Sequence, residues 1–268
     1  MNELTSLNFL PTQLPTTNVA GINITTASRQ ELADAMVADC LNSKRSGHQF
    51  GPRLVFDANG HAVSLRERDK SYRQAFDAAD LVHADGGFLV TISRYLSPSP
   101  IKQRSATTDL FDDFAARATK AGLSIYLLGG TEQVNQHCAD LLPAKFPGLN
   151  IAGRHHGYFK DGETDQIIAD INAARPDILW VGMGKPKEQA FGAAHKHEIK
   201  AGWLITCGGS FSFFTGAYKR APVWMQNFNL EWLHRLLTRP RQLFWRYLTT
   251  SPHALWLALT KTKRRPLK

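Results

Sequence analysis

The run Leu123-Ser124-Ile125-Tyr126-Leu127-Leu128, then Gly129-Gly130-Thr131, then a helix-length segment from residue 132 to about residue 145, decides the fold. A short apolar run has the length of a buried strand, paired glycines punctuate it, and the following segment is long enough for a helix. The same order recurs on both sides. Upstream, residues 21–24 alternate as a short strand. Ser28-Arg29-Gln30-Glu31 has capping-box spacing and predicts a helix through about residue 43. Residues 54–56 and 81–83 read as short buried strands, with a helical stretch between them running to about residue 79. Helices are predicted over 88–95 and 109–121. Downstream, strands at 149–152, 177–181 and 203–206 alternate with helices at 163–174 and 187–199. Strands alternating with helices predict an α/β fold, a Rossmann-like, mostly parallel sheet.

Glycine turns follow three of the strands, at residues 129–130, 182–184 and 208–209. None has the GxGxxG or GxxxxGK[ST] spacing of a dinucleotide fold or P-loop. Glycines can serve tight turns alone. Three such turns at strand ends favour an anionic, nucleotide-sized ligand held by helix N-termini. Asn59 and Asp85 also follow strands and would face the same crevice. Asp85 has two open readings, a cap for the helix after it or a general base in the crevice. The pair His155-His156 reads as a surface loop, because adjacent side chains diverge and no third ligand lies at regular spacing. No metal site is expected.

The chain has 268 residues and a net charge of +9, enough length for one large domain or a domain with an appendage. Residues 217–268 carry 11 basic side chains and one acidic, Glu231, which leaves 21 basic and 22 acidic in residues 1–216. The body is therefore neutral and the excess is terminal. Cys40, Cys138 and Cys207 are odd in number and widely spaced, against a disulfide scaffold and for a reducing compartment. No apolar run is long enough to span a bilayer, and the polar start lacks a signal-peptide pattern. Residues 1–18 read as a loose leader, 19–216 as the α/β body, and 217–268 as a basic, helical appendage. Of 27 aromatic residues, 11 lie between Phe211 and Trp256. Phe244, Trp245, Leu248, Leu255, Trp256 and Leu259 lie near the basic run from Lys261 to Lys268, a combination that suits an anionic membrane surface. A last core helix with a solvated tail is the plainer alternative, and nucleic-acid binding through basic and aromatic side chains is another.

Longer motifs carry a resemblance. Gly182-Met183-Gly184-Lys185-Pro186-Lys187-Glu188-Gln189, the segment from Gly208 to Pro222, Asn229-Leu230-Glu231-Trp232-Leu233-His234-Arg235 and Arg239-Pro240-Arg241 resemble the WecG/TagA/CpsF glycosyltransferase family. Ala79-Asp80-Leu81 with Asp85-Gly86, then Leu127-Leu128-Gly129-Gly130, Phe146-Pro147-Gly148 and Gly157-Tyr158-Phe159, match further landmarks in order. The resemblance covers residues 19 to about 250.

It implies an inverting, metal-independent transferase with a UDP-sugar as co-substrate and no cofactor. The sugar would be N-acetylmannosamine, its uronic acid or glucose. The acceptor would be a polyprenyl-diphosphate-linked saccharide on the cytoplasmic face of the membrane, where the enzyme would be peripheral. By position, Asp85 matches the family's proposed base. Asn59 and Arg104 match donor-site residues, and Arg235, Arg241 and Arg246 match appendage arginines suited to diphosphate. Gly129, Gly130, Gly184, Glu188, Gln189, Gly208 and Gly209 complete the expected substrate-binding set. A homo-oligomer is possible and nucleic acid is not the expected partner; a nucleic-acid module and a non-catalytic nucleotide-sugar-binding regulator are the alternatives. Asp57-Ala58-Asn59-Gly60-His61 stands where many members have Thr-x-Asn-Pro-Glu. Glu188-Gln189 inverts the usual Gln-Glu, Ser212 replaces an Asp, and Arg104 is followed by Ser105-Ala106-Thr107-Thr108-Asp109 rather than a glycine-containing run.

Overall fold

A computed structural model describes residues 14–228 and 230–264. A hairpin opens it, β1 (Thr16–Val19) pairing antiparallel with β2 (Ile22–Thr25). Residues 16–18, expected in the leader, are therefore strand; the leader's first 13 residues lie outside the described residues. The capping box at Ser28 forms and starts α1 (Arg29–Arg45). β3 (Arg53–Ala58) is followed by α2 (Gly60–Arg68) and α3 (Lys70–Asp77). The single helical stretch expected here is broken at Asp69. That residue is extended, and its side chain caps α3 by accepting from Tyr72 N–H. Next come β4 (Leu81–Ala84), α4 (Gly87–Leu96) and α5 (Thr107–Ala121).

The deciding stretch folds as β5 (Ser124–Gly129) and α6 (Glu132–Lys145). β6 (Asn150–His155), α7 (Thr164–Ala174), β7 (Ile178–Gly182), α8 (Lys187–His195) and β8 (Trp203–Thr206) complete the body. His155 thus ends a strand rather than lying in a loop. Short helices α9 (Ser210–Phe214), α10 (Val223–Asn227) and α11 (Glu231–Thr238) lead into the long α12 (Pro240–Lys261).

The six strands β3 to β8 form one sheet in the order β4-β3-β8-β7-β5-β6, and every pair is parallel. Both faces are covered, which explains the continuous apolar strands. Leu54, Phe56, Leu179, Val181 and Leu204 face one side, packed with α2, α3 and α8. Val55, Trp180, Trp203 and Ile205 face the other, under α1, α5 and α6. The chain runs outward from β3 to β4, crosses to β5 and β6, then returns to fill the middle with β7 and β8. That reversal opens a crevice at the carboxyl ends of the strands.

The appendage is not separate from this core. Ala254, Leu257 and Ala258 of α12 are buried in the same apolar cluster as Ala62 and Val63 of α2. Ala20 N–H donates to Thr262 Oγ1 at 3.1 Å, and Lys263 N–H donates to Asn18 carbonyl O at 3.3 Å, so the opening hairpin holds the end of α12. Lys261 ion-pairs with Glu67 at 2.7 Å. Residues 265–268 of the basic run lie outside the described residues. All three cysteines are free and buried.

Because α12 completes the core, Leu257→Ala should cost about 2–5 kcal/mol of folding stability. Urea denaturation measures this; a change within experimental error would mean that α12 only rests on the body.

Candidate active site

The carboxyl ends of β3, β4, β7 and β8 meet the appendage around a cavity of about 830 Å³. Asp85 sits one residue beyond β4. Its Oδ1 accepts the N–H of Thr107 at 3.1 Å, and its Oδ2 accepts from Asn59 Nδ2 at 3.1 Å. Thr107 is the first residue of α5, so the carboxylate stands at a helix N-terminus, where the dipole favours negative charge. The capping reading for α4 does not hold. Gly86 is the N-cap of that helix, with no side-chain bond.

Asn59 is the N-cap of α2: its Oδ1 accepts from Ala62 N–H at 3.1 Å. That bond fixes which end of the amide is which. Nδ2 is left to donate to Asp85 and, at 3.0 Å, to Asp57 Oδ2. Lys185 Nζ lies 2.7 and 2.6 Å from the two Asp57 oxygens and 3.7 Å from Glu188 Oε1. Glu188 Oε2 accepts two backbone N–H groups, from Gly184 at 3.0 Å and Gly208 at 2.9 Å. All three of these charged side chains are buried. Buried charge is tolerated only when it is paired and hydrogen-bonded, and here each partner satisfies the others.

The electrostatics follow from burial and neighbours. Burial alone would raise Asp85, but Arg104, then Arg235, the Asn59 hydrogen bond and Lys185 outweigh it and hold the carboxyl at about 2. Burial disfavours the Lys185 ammonium, yet Asp57 and Glu188 outweigh that and push its pKa up. Burial raises Asp57 and Glu188, with Lys185 pulling the other way. His61, beside them in the cavity, is lowered to about 4 by burial and then by Arg246 and Lys185. It is neutral at pH 7.

Arginines close the other side. Arg104 donates from Nε to the Asp85 carbonyl O at 2.6 Å. Arg235 lies over the Phe213 ring, 4.6 Å from its centroid, and Arg239 stacks on Tyr218 at 3.1 Å. Arg246 also lines the cavity. Planar, always-charged guanidiniums braced on aromatic faces are suited to phosphate oxygens.

The expected residues divide. Asn59, Asp85, Arg104, Gly184, Glu188, Gly208, Gly209, Arg235 and Arg246 line the cavity. Arg241 does not; it is exposed, and Arg239 takes the place expected for it. The helix break explains the difference, since Arg239 is the non-helical junction between α11 and α12, whereas Arg241 already lies in the first turn of α12. Gly129 and Gly130 are also away from the cavity. A Cβ on Gly129 (φ +138°) would lie 2.4 Å from Gly182 carbonyl O, and Gly130 N–H donates to that oxygen at 3.0 Å. These glycines let two strand ends close on each other. Gln189 is buried behind Glu188, within 3.3 Å of it and 3.4 Å of Thr206 Oγ1. The turn amides expected to receive an anion are partly spent, because those of Gly184 and Gly208 already serve Glu188. Asp57, His61, Lys185 and Glu231 also line the cavity but are absent from the expected set. Their positions were the available signal for two of them, Asp57 next to last in β3 and Lys185 in the turn after β7. Among the described residues, no group of three or more His, Cys, Asp or Glu is arranged to hold a metal ion.

A model of the WecG/TagA/CpsF glycosyl transferase family matches residues 17–268. Among curated proteins, the chain is 32% identical over 199 residues to the N-acetylglucosaminyldiphosphoundecaprenol N-acetyl-beta-D-mannosaminyltransferase of Bacillus spizizenii, covering 74% of this chain and 76% of that one. It is 30% identical over 184 residues to the protein of the same description from Staphylococcus aureus, covering 69% and 71%.

Lys185→Met would strand Asp57 and Glu188 without their cation and should destabilise the fold by about 3–5 kcal/mol. Denaturation at neutral pH reads the loss, and adding Asp57→Asn should restore part of it. Equal stability of Lys185→Met and the parent would remove the pair from this structural role.

Proposed function

The chain belongs to the WecG/TagA/CpsF family of glycosyl transferases, and from that premise we propose that it moves a hexosyl group from a UDP-sugar to a polyprenyl-diphosphate-linked saccharide. The observation that carries this reading is that Asp85 and four arginines, Arg104, Arg235, Arg239 and Arg246, line one cavity. A carboxylate faces positive groups that fit two diphosphates, one on the donor and one on the acceptor. The relatives' described acceptor, a diphosphate-linked sugar on undecaprenol, supports the same class here.

In the proposed reaction, Asp85 takes the proton of the acceptor hydroxyl as its oxygen bonds to the anomeric carbon. The bond from that carbon to the UDP oxygen breaks, and UDP leaves with the electron pair. A single displacement of this kind inverts the anomeric centre. The departing charge is met by the arginines, without a metal ion. The same arginines govern the base. With no diphosphate bound, Arg104 and Arg235 hold Asp85 near 2; a bound diphosphate would offset their charge and raise it toward a more useful value. Asn59 and the Thr107 N–H keep the carboxylate aimed. Asp57 and His61, both departures from the family pattern and both in the cavity, are the residues through which this chain would select its own sugar.

The proposed site of action is an anionic membrane surface, on the inner face where nucleotide sugars are found. Among the described residues no helix is long and apolar enough to cross a membrane. α12 instead exposes Trp245, Leu248, Trp256 and Leu259, spaced three, eight and three residues apart along one side of the helix. Such a stripe beside basic residues supports interfacial binding.

Asp85→Asn should retain UDP binding and lose transfer by at least about 100-fold, measured as product mass from a polyprenyl-diphosphate-sugar acceptor. Near-normal turnover would remove Asp85 as the base. Replacing Trp245 and Trp256 together by Ser should weaken binding to anionic vesicles roughly tenfold or more with unchanged circular dichroism. Truncation of α12 is not an equivalent test, because its inner side is core. Unaltered vesicle binding in the double variant would sink the membrane reading.

A further inference from the structure

One carboxylate in the cavity has no task in the proposed chemistry. Glu231, the single acidic residue of the last 52, is only 4% exposed. It opens α11. Its Oε2 pairs with Arg104 Nη1, and its Oε1 lies 3.6 Å from Arg220 Nε. Arg220 Nη1 continues to Asp109 Oδ1 at 2.6 Å, and Asp109 Oδ2 to Arg29 Nη1 at 2.9 Å. Charges therefore alternate from the cavity outward, crossing from the body to the appendage and back.

Burying a carboxylate costs free energy that pairing seldom returns in full. In a segment so rich in cations, an exposed position would give Glu231 partners without that cost. What the buried position supplies is geometry. Arg104 is held at two points, Nε on the Asp85 carbonyl and Nη1 on Glu231. Two contacts on a planar fork define its plane. Held this way, Arg104 lines the cavity beside Asp85 and, among the described residues, makes no ion pair with the Asp85 carboxylate. The base keeps its open side. Arg235 lies four residues after Glu231, on the same side of α11, so the seat of Glu231 also sets where that arginine enters.

We propose that Glu231 is a positioning residue, a buried carboxylate that seats α11 against the body and orients Arg104 for the leaving diphosphate. This rests on the function proposed above, since it treats the cavity as the site of transfer. Glu231→Gln keeps the shape and removes the charge. It should lower kcat roughly tenfold or more while KM for the UDP-sugar stays within about twofold. Glu231→Asp should recover a large part of that loss. In Arg104→Gln, adding Glu231→Gln should cost little more, because Glu231 acts through Arg104. Wild-type kcat in Glu231→Gln, or full additivity in the double variant, overturns the proposal. Limited trypsin digestion supplies a reading that needs no substrate. Glu231→Gln should be cut faster at Arg235 than the parent, and an unchanged rate also overturns it. If the parent itself transfers no sugar to any lipid-diphosphate acceptor, the proposed function falls, and the digestion still decides whether Glu231 seats α11.

Discussion

The Lys185 ammonium, buried between Asp57 and Glu188, is the point to which the rest of the cavity refers. It joins the end of β3 to the turn after β7. Through Glu188 it reaches the amides of Gly184 and Gly208, and so the turn after β8. Through Asp57 and Asn59 it reaches Asp85 beyond β4. Four strand ends are thus held by one hydrogen-bonded chain whose members would each be costly to bury alone. The arrangement explains why the glycine turns do not offer all their amides to a ligand. Some are consumed in holding the turns in register, and the positive charge for an anion comes from arginines across the cavity.

One of those arginines, Arg246, comes from an element, α12, that does three things at once. One side of α12 buries Ala254, Leu257 and Ala258 in the core. The same side, nearer the start of the helix, presents Arg246, Tyr247 and Thr250 to the cavity. The opposite side exposes Trp245, Leu248, Trp256 and Leu259. A helix can do this because its residues fan around the axis every 3.6 positions. The membrane reading and the last-core-helix reading, alternatives at the level of sequence, do not exclude each other, because they concern different sides of the same helix. The exposed side of α12 and part of the cavity wall belong to one helix, with no linker between them.

Much of the fold was legible in local sequence. Short apolar runs, glycine punctuation and the Ser28 capping box marked strands and helix starts, because burial on both faces of a parallel sheet requires such runs. The crevice positions of Asp85 and Asn59 were legible for the same reason, since strand ends open on the crevice. Asp69 was missed because a single capping residue can break a helical stretch without glycine or proline. The roles of Asp57, Lys185 and Glu231 were missed because each depends on a partner more than 100 residues away.

By itself, the sequence determined the alternation of strands and helices, the neutral body, the basic end and the motif order that marks the family. These are properties of neighbouring residues and of composition. Only the tertiary structure decided that Gly129 and Gly130 serve packing, that Arg239 rather than Arg241 reaches the cavity, and that the one acidic residue of the basic end is buried between two arginines. Each depends on which distant groups share a small, weakly hydrated space, where an unpaired charge is expensive and geometry selects the pair.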